Sequence, residues 1–216
     1  VQVVRDITDR RRLAAEREEL AKLRADPDML TDAKAYYAKH PKEFICHWLD
    51  TYNPRLKRSK WVPFVLFRRQ ADFIDFLEEL RRDNESGLVE KCRDVGASWL
   101  GCAYSVWTFS FIKDDATGWG SRKEDLVDKR GDPDSLFEKM RLLINRMPDV
   151  FRPPAGHAFM KLVNKENGAT VTGEAGDNLG RGGRKSRYFV DESAHIERAE
   201  LIEASLGDNT EVRIDM

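Results

Sequence analysis

The sequence is short of cysteine, of any excess of one charge and of long apolar runs, and each shortage excludes a class of protein. Cys46, Cys92 and Cys102 are the only three cysteines in 216 residues, odd in number and without a spacing pattern. A disulfide scaffold is thereby excluded, and a reduced, intracellular protein is favoured. No CxxC pair and no clustering of the four histidines offers a zinc site. Lys and Arg total 37 against 38 for Asp and Glu, a net charge of −1. The chain is no polycation, so contact with DNA would run through local patches or through segments outside this chain. No apolar run approaches a membrane span and the N-terminus lacks an apolar signal core, so no membrane association is expected. There is no initiator Met, and a processed or trimmed N-terminus is expected. Internal repeats are absent. Hydrophobic residues at 41% and charged residues at 35% describe a globular, heavily solvated chain with one sizeable core, or a core with a helical extension.

The chain opens on DITDRRRLAAEREELAKLRAD, where Leu13, Leu20 and Leu23 form a thin apolar stripe. This pattern predicts a solvated helical arm; the alternative is a partner-binding coiled coil. Asp26–Pro27–Asp28 ends that helix and starts another carrying Met29, Leu30, Ala33, Tyr36 and Tyr37. Pro41 suits the first turn of a third, with Phe44, Ile45, Trp48 and Leu49 facing inward, and Asn53–Pro54 stops it. Residues 1–55 are read as a helical arm or subdomain and 56–216 as the catalytic domain.

Residues 55–69 place Arg55, Lys57, Arg58, Lys60, Arg68 and Arg69 around Trp61 and Phe64. They are read as an exposed linker with snorkelling side chains; the alternative is a nucleic-acid contact. RRQADFIDFLEELRRD follows as a helix with Phe73, Phe76, Leu77 and Leu80 on one face. Gln70 stands at its start, and a Gln amide can serve both hydrogen-bonding edges of an adenine.

The chain is organised around Ser86–Ile112, SGLVEKCRDVGASWLGCAYSVWTFSFI. A short apolar run at Leu88–Val89 leads into a loop with Lys91, Arg93 and Gly96, and then into a long apolar segment. Strand, phosphate-cradling loop and buried helix are the expected elements. Measured against GxxxxGK[ST], the loop lacks the first Gly, and Ala97 takes the Lys position. Gly96 permits close backbone approach, Val95 to Trp99 bring amides and a helix start to an anion, and Ser98 can ligate Mg²⁺. Lys91, at the start of the loop, can still reach phosphates. The unspecialised alternative is a strand–turn–helix crossover with a surface lysine.

Ala116–Gly120 reads as a second strand, ending in Ser121–Arg122–Lys123, and Asp134–Met147 as a helix. A hairpin is expected around Asn167–Gly168. The glycine-rich stretch GEAGDNLGRGGRK is expected to be a mobile loop. Arg187–Val190 is a strand, Ile196–Leu206 a helix and Glu211–Asp215 a further strand. Tyr188–Glu192, YFVDE, is an apolar strand delivering two carboxylates to the edge where open α/β sheets bind ligands. There Asp191 would organise Mg²⁺ and Glu192 would orient or deprotonate the attacking water. Alternating strands and helices predict an α/β fold with a mainly parallel central sheet.

Taken together and in order, LFRRQADFI, EKCRDVGASWL, GWGSRKEDLVDKRGDPDSLFEKMR, GEAGDNLGRGGR and YFVDESAHIE resemble the ATPase domain of the large terminase subunit of tailed bacteriophages, a DNA-packaging motor. The resemblance covers about Tyr36 to the end. It implies a RecA/ASCE-type P-loop ATPase using ATP and Mg²⁺, in which displacement of the phosphate-binding lysine to the start of the loop is a family habit. Gln70 would contact adenine. Lys91, with Arg93 as second candidate, would bind phosphates alongside Val95, Gly96, Ala97, Ser98 and Trp99. Ser98 and Asp191 would serve the metal, and Glu192 would be the catalytic carboxylate. Arg181, with Arg184 as alternate, would act on a neighbouring subunit's ATP.

The implied partners are double-stranded DNA, the portal protein of a procapsid, the small terminase subunit and further copies in a ring, in the host cell cytoplasm. A coupling motif and a nuclease domain, which large terminases carry after the last strand here, are absent. A fragment of a longer protein, unable to cut DNA, is therefore expected. The competing classes are another RecA-like nucleic-acid ATPase such as a helicase, and a degenerate P-loop module that holds DNA without hydrolysis.

Overall fold

A computed structural model describes residues 2–57, 59–92, 95–196 and 199–216, with backbone alone at 2–13, 177, 199, 201–203 and 208. The elements in chain order are α1 (Gln2–Ala25), α2 (Pro27–Tyr37), α3 (Pro41–Trp48), β1 (Asp50–Tyr52), β2 (Trp61–Pro63), α4 (Arg68–Asp83), β3 (Gly87–Leu88) and α5 (Ala97–Phe111). There follow β4 (Ala116–Ser121), α6 (Glu124–Val127), α7 (Leu136–Arg146), β5 (Ala155–Ala158), β6 (Lys161–Asn164), β7 (Thr170–Ala175), β8 (Lys185–Val190), α8 (Ala199–Asn209) and β9 (Thr210–Asp215).

Seven strands form one sheet in the order β3-β9-β8-β4-β7-β6-β5. Neighbours from β3 to β7 are parallel, and the β7-β6-β5 edge is antiparallel. The last strand of the chain thus inserts between the strand before the phosphate loop and the strand that carries the acids. The fold is α/β and mainly parallel, with helices packed on the sheet.

α5 explains the core. Nearly all of its fifteen residues are apolar, and Leu100 to Phe109 are buried without a solvent-facing stripe. A helix apolar all round must be covered all round. α3, α4 and α7 cover it. Beneath it the register sets Trp119 opposite Phe189, and the two rings stack at 4.5 Å. On the opposite face Tyr188 and Val190 pack with Leu179 and Leu206.

That second face depends on Gly118 and Gly120, which leave β4 bare so that Tyr188 and Leu179 can lie against its backbone. A methyl group on Gly120 would overlap Leu179 Cδ2. Gly120→Ala is therefore expected to destabilise the fold by about 1–3 kcal/mol and lower Tm by roughly 2–12 °C. Thermal melting reads this directly, and an unchanged melt would show that the face tolerates a side chain there.

Asp26 starts α2 as the sequence predicts, accepting from the amides of Asp28 and Met29 at 3.0 Å. Tertiary packing revises other readings of the sequence. α2 and α3 do not stand apart: Tyr37, Phe44, Ile45 and Trp48 belong to the same apolar cluster as Leu100, Trp107 and Phe151. Among the described side chains of α1 only Leu23 is buried. The described basic residues of 55–69 are exposed as read, but the stretch also contributes a strand. β1 pairs with β2 as an antiparallel hairpin across them, because Tyr52 and Trp61 meet at 5.1 Å and Arg146 covers Trp61 at 4.4 Å.

The buried face of α4 is centred on Ile74, Leu77 and Leu80, with Phe73 and Phe76 at its margins. The glycine-rich stretch is also tied down. β7 runs to Ala175, and the Glu174 carboxylate accepts the amides of Gly180 and Gly182, at 2.5 and 2.8 Å, and the Tyr188 hydroxyl at 3.0 Å. Glycine content reports permissive backbone; it does not report the acceptor that freezes it. Burial, reinforced by Glu174, pushes the Tyr188 pKa up. No helix among the described residues is long and apolar enough to cross a membrane.

Candidate functional site

Val89 ends the first strand segment by donating its amide to Asp215 O. The chain then loops back to α5 through Gly96, whose φ of 78° is the left-handed conformation that glycine adopts without strain. α5 begins at Ala97 with no side-chain cap among the described residues, which leaves its first amides at the positive end of a fifteen-residue helix dipole without a capping side chain. Such a terminus is built to receive an anion.

At the carboxyl edge of the sheet β8 delivers the acids. The Asp191 amide donates to Gly120 O, which fixes the turn. Ser98 Oγ donates to the Asp191 carboxylate at 3.0–3.1 Å, and Lys91 Nζ lies 3.7 Å from Asp191 Oδ1. Residues 93 positions apart thus converge on one point. Glu192 takes a left-handed backbone, φ 56°, unusual for a non-glycine residue and a strain that collects at functional sites. Its Oε2 accepts from Arg122 Nε at 3.0 Å.

The chemistry of these donors suits Mg²⁺. A hydroxyl and a carboxylate are hard oxygen ligands, and Mg²⁺ completes its octahedron with phosphate oxygens and water. Among the described residues no three His, Cys, Asp or Glu side chains cluster, so one carboxylate and the hydroxyl are what the chain offers here. Ser121 Oγ, at the end of β4 beside β8, is buried with no hydrogen-bond partner among the described residues, a further oxygen at this edge.

An open cleft of about 580 Å³ adjoins the loop, within the size range of small-molecule sites. Gln70, Lys91, Val95, Gly96, Ala97, Ser98 and Trp99 all line it. Arg93 lies outside the described residues. Gln70 is already in use: its Oε1 accepts the Phe67 amide at 3.1 Å, and its Nε2 donates to Val95 O at 3.0 Å. It is a strut between α4 and the phosphate loop. A carboxamide keeps a second lone pair and a second N–H, so the strut can hold while Gln70 still meets a base edge.

Arg181 is exposed, its side chain unpartnered among the described residues. Arg184 borders a small pocket with Ala116 and Thr210, the starts of β4 and β9, and so lies at the edge opposite the acids. Sequence reasoning missed three features of the site: Arg122, the hairpin side chains Tyr52 and Asn53, and Lys139 of α7, the last three lining the cleft. Arg122 carried one signal, its place immediately after a strand that could neighbour the acid-bearing one. The others carried none.

No family model and no curated protein matches the chain. Solved structures do. The large terminase of bacteriophage HK97 is similar with a TM-score of 0.57 at 14% identity, over 82% of this chain and 37% of that one. The chain shares the fold of the matched part of a phage large terminase. The ATPase domain of the Thermus phage P74-26 large terminase is similar over 61% of this chain and 59% of that chain, at 17% identity and TM-score 0.45. The resemblance read in the sequence motifs is met in the fold of the HK97 structure, of whose length the chain covers 37%.

Proposed function

We propose that the chain binds Mg²⁺·ATP in this cleft and hydrolyses it, as the ATPase unit of a motor that drives double-stranded DNA into a viral procapsid. The observation that carries this reading is the convergence of Ser98, Lys91 and Asp191 at the uncapped start of a buried helix, on the carboxyl edge of a parallel sheet. Phosphoryl transfer asks for little beyond positioning and charge neutralisation.

In this reading the α5 amides and Lys91 hold the phosphates, Ser98 and Asp191 hold the metal, and Gln70 meets the base. Bound Mg²⁺ would neutralise charge developing on the phosphate oxygens. Glu192 takes a proton from, or orients, the attacking water, and the Arg122 contact is released when it does. Arg181 reaches a neighbouring copy's nucleotide in a ring. Portal and small-subunit partners follow from the same reading. A second reading, a module that holds without hydrolysing, is favoured by one observation: Ala97 stands where a P-loop carries its lysine.

Calorimetry with Mg²⁺ and ATP tests the site. The parent chain is expected to bind, Lys91→Ala to weaken binding by about tenfold or more, and Glu192→Gln to keep it. A folded parent that binds no nucleotide would overturn the proposal in favour of the holding module.

A further inference from the structure

Lys139 lies in the first turn of α7, where the helix dipole is positive and a cation is electrostatically misplaced. It is only 6% exposed. Among the described residues two arginines are buried and each is paired, Arg141 with Asp128 at 2.5 Å and Arg187 with Asp115 at 2.7 Å. Lys139 has no such ion-pair partner among the described residues. Its ammonium donates to the backbone carbonyl of Asp134 and lies 5.9 Å from the centre of the Trp99 ring, and no carboxylate among the described residues forms an ion pair with it. The exposed Asp134 carboxylate, at the rim of the same cleft, is not within pairing distance. The Asp132 carboxylate acts on it through space without an ion pair, and a buried cation so weakly compensated is costly, a cost recovered when an anion arrives.

The opening beside Lys139 is the cleft lined by Lys91, Gly96 and Ser98. Trp99, in the first turn of the phosphate-loop helix, is the ring over which the ammonium sits, so α7 and the loop are joined at this point. We infer that Lys139 is a second phosphate-binding cation of the site, reaching from α7 to the anionic end of the nucleotide. The inference rests on the nucleotide reading of the cleft and deepens it: the site selects by phosphate number, with Lys91 on one side of the chain of phosphates and Lys139 on the other. It also makes up for Ala97, whose position no longer supplies a charge.

The test is the affinity of the intact chain for ATP, ADP and AMP in Mg²⁺, by calorimetry, for the parent, Lys139→Gln, Lys139→Arg and Lys91→Ala. Gln removes the charge and keeps an N–H donor, one atom nearer the backbone, and Lys139→Arg controls for the charge. Lys139→Gln is expected to lose about tenfold or more in ATP affinity, less in ADP affinity and nothing measurable for AMP, while Lys139→Arg keeps the parent's ATP-to-AMP ratio. Thermal melts of the nucleotide-free variants separate stability from selectivity, since a merely structural lysine would lower Tm without changing that ratio. Parent-like ratios in Lys139→Gln overturn the inference whatever its Tm. If Lys91→Ala loses ATP while Lys139→Gln does not, the nucleotide site stands and this inference alone falls. If the folded parent binds none of the three, both fall together.

Discussion

Glu192→Gln is expected to leave Mg²⁺·ATP binding within a few-fold of the parent and to slow hydrolysis by at least about a hundredfold, the lower end of what a positioned general base contributes. The substitution is isosteric, so the strained turn at Glu192 and the hydrogen bond from Arg122 can both persist. What disappears is basicity and negative charge. Single-turnover release of phosphate from bound ATP gives the rate, and calorimetry on the same preparation gives the affinity. A rate unchanged within threefold would remove Glu192 from the chemistry. The Arg122 contact sharpens the experiment. Glu192 Oε2 accepts from a guanidinium at 3.0 Å, a contact that opens in the proposed reaction when the carboxylate acts as a base.

Breaking the Arg187–Asp115 pair is expected to destabilise the fold more than any surface change. The two side chains are 5% and 2% exposed, joined at 2.7 and 2.9 Å, with Thr117 Oγ1 bridging to both. Tyr104 of the central helix lies under the guanidinium and donates onward to Glu78 at 2.5 Å. Asp115→Ala would strand a buried guanidinium and cost about 3–5 kcal/mol. For a chain of this size that lowers Tm by roughly 6–20 °C. Removing both partners, as Asp115→Leu with Arg187→Met, is expected to recover most of the loss, because the desolvated charge goes with its counter-ion. Urea unfolding of Asp115→Leu, Arg187→Met and the double completes the cycle. A double variant as unstable as the sum of the singles would show that the two residues contribute independently and that no stranded-charge penalty burdens the singles.

The comparison of sequence with structure divides along sequence separation. The local elements were legible. Asp26 before Pro27 marks a helix start, Gly96 marks the turn into α5, and Tyr188–Val190 mark a buried strand that ends in acids. Each is decided by propensity, periodicity or a turn requirement within a few residues. The apolar hairpin around Asn167–Gly168 was legible for the same reason, and β6 and β7 pair across it. The exposed basic residues of 55–69 were legible, but the hairpin that ends among them was not, because the Tyr52–Trp61 contact and the Arg146 lid lie outside any local window. The mobile-loop reading of the glycine-rich stretch failed because its anchor, Glu174, looks like any other strand-end carboxylate in the sequence.

By itself, then, the sequence determined the mainly parallel α/β class, the buried central helix, the uncapped loop before it and the pair of acids at a strand end. Only the tertiary structure decided that Ser98 and Lys91 meet Asp191, that Arg122 holds Glu192, that Gln70 braces the loop through Val95, and that Lys139 enters the cleft from another helix. The physical reason is the order of the sheet. Inserting β9 between β3 and β8, and β8 against β4, sets loops that are distant in the chain side by side at one edge. Those contacts are bought with long loop closures whose partners no local pattern names.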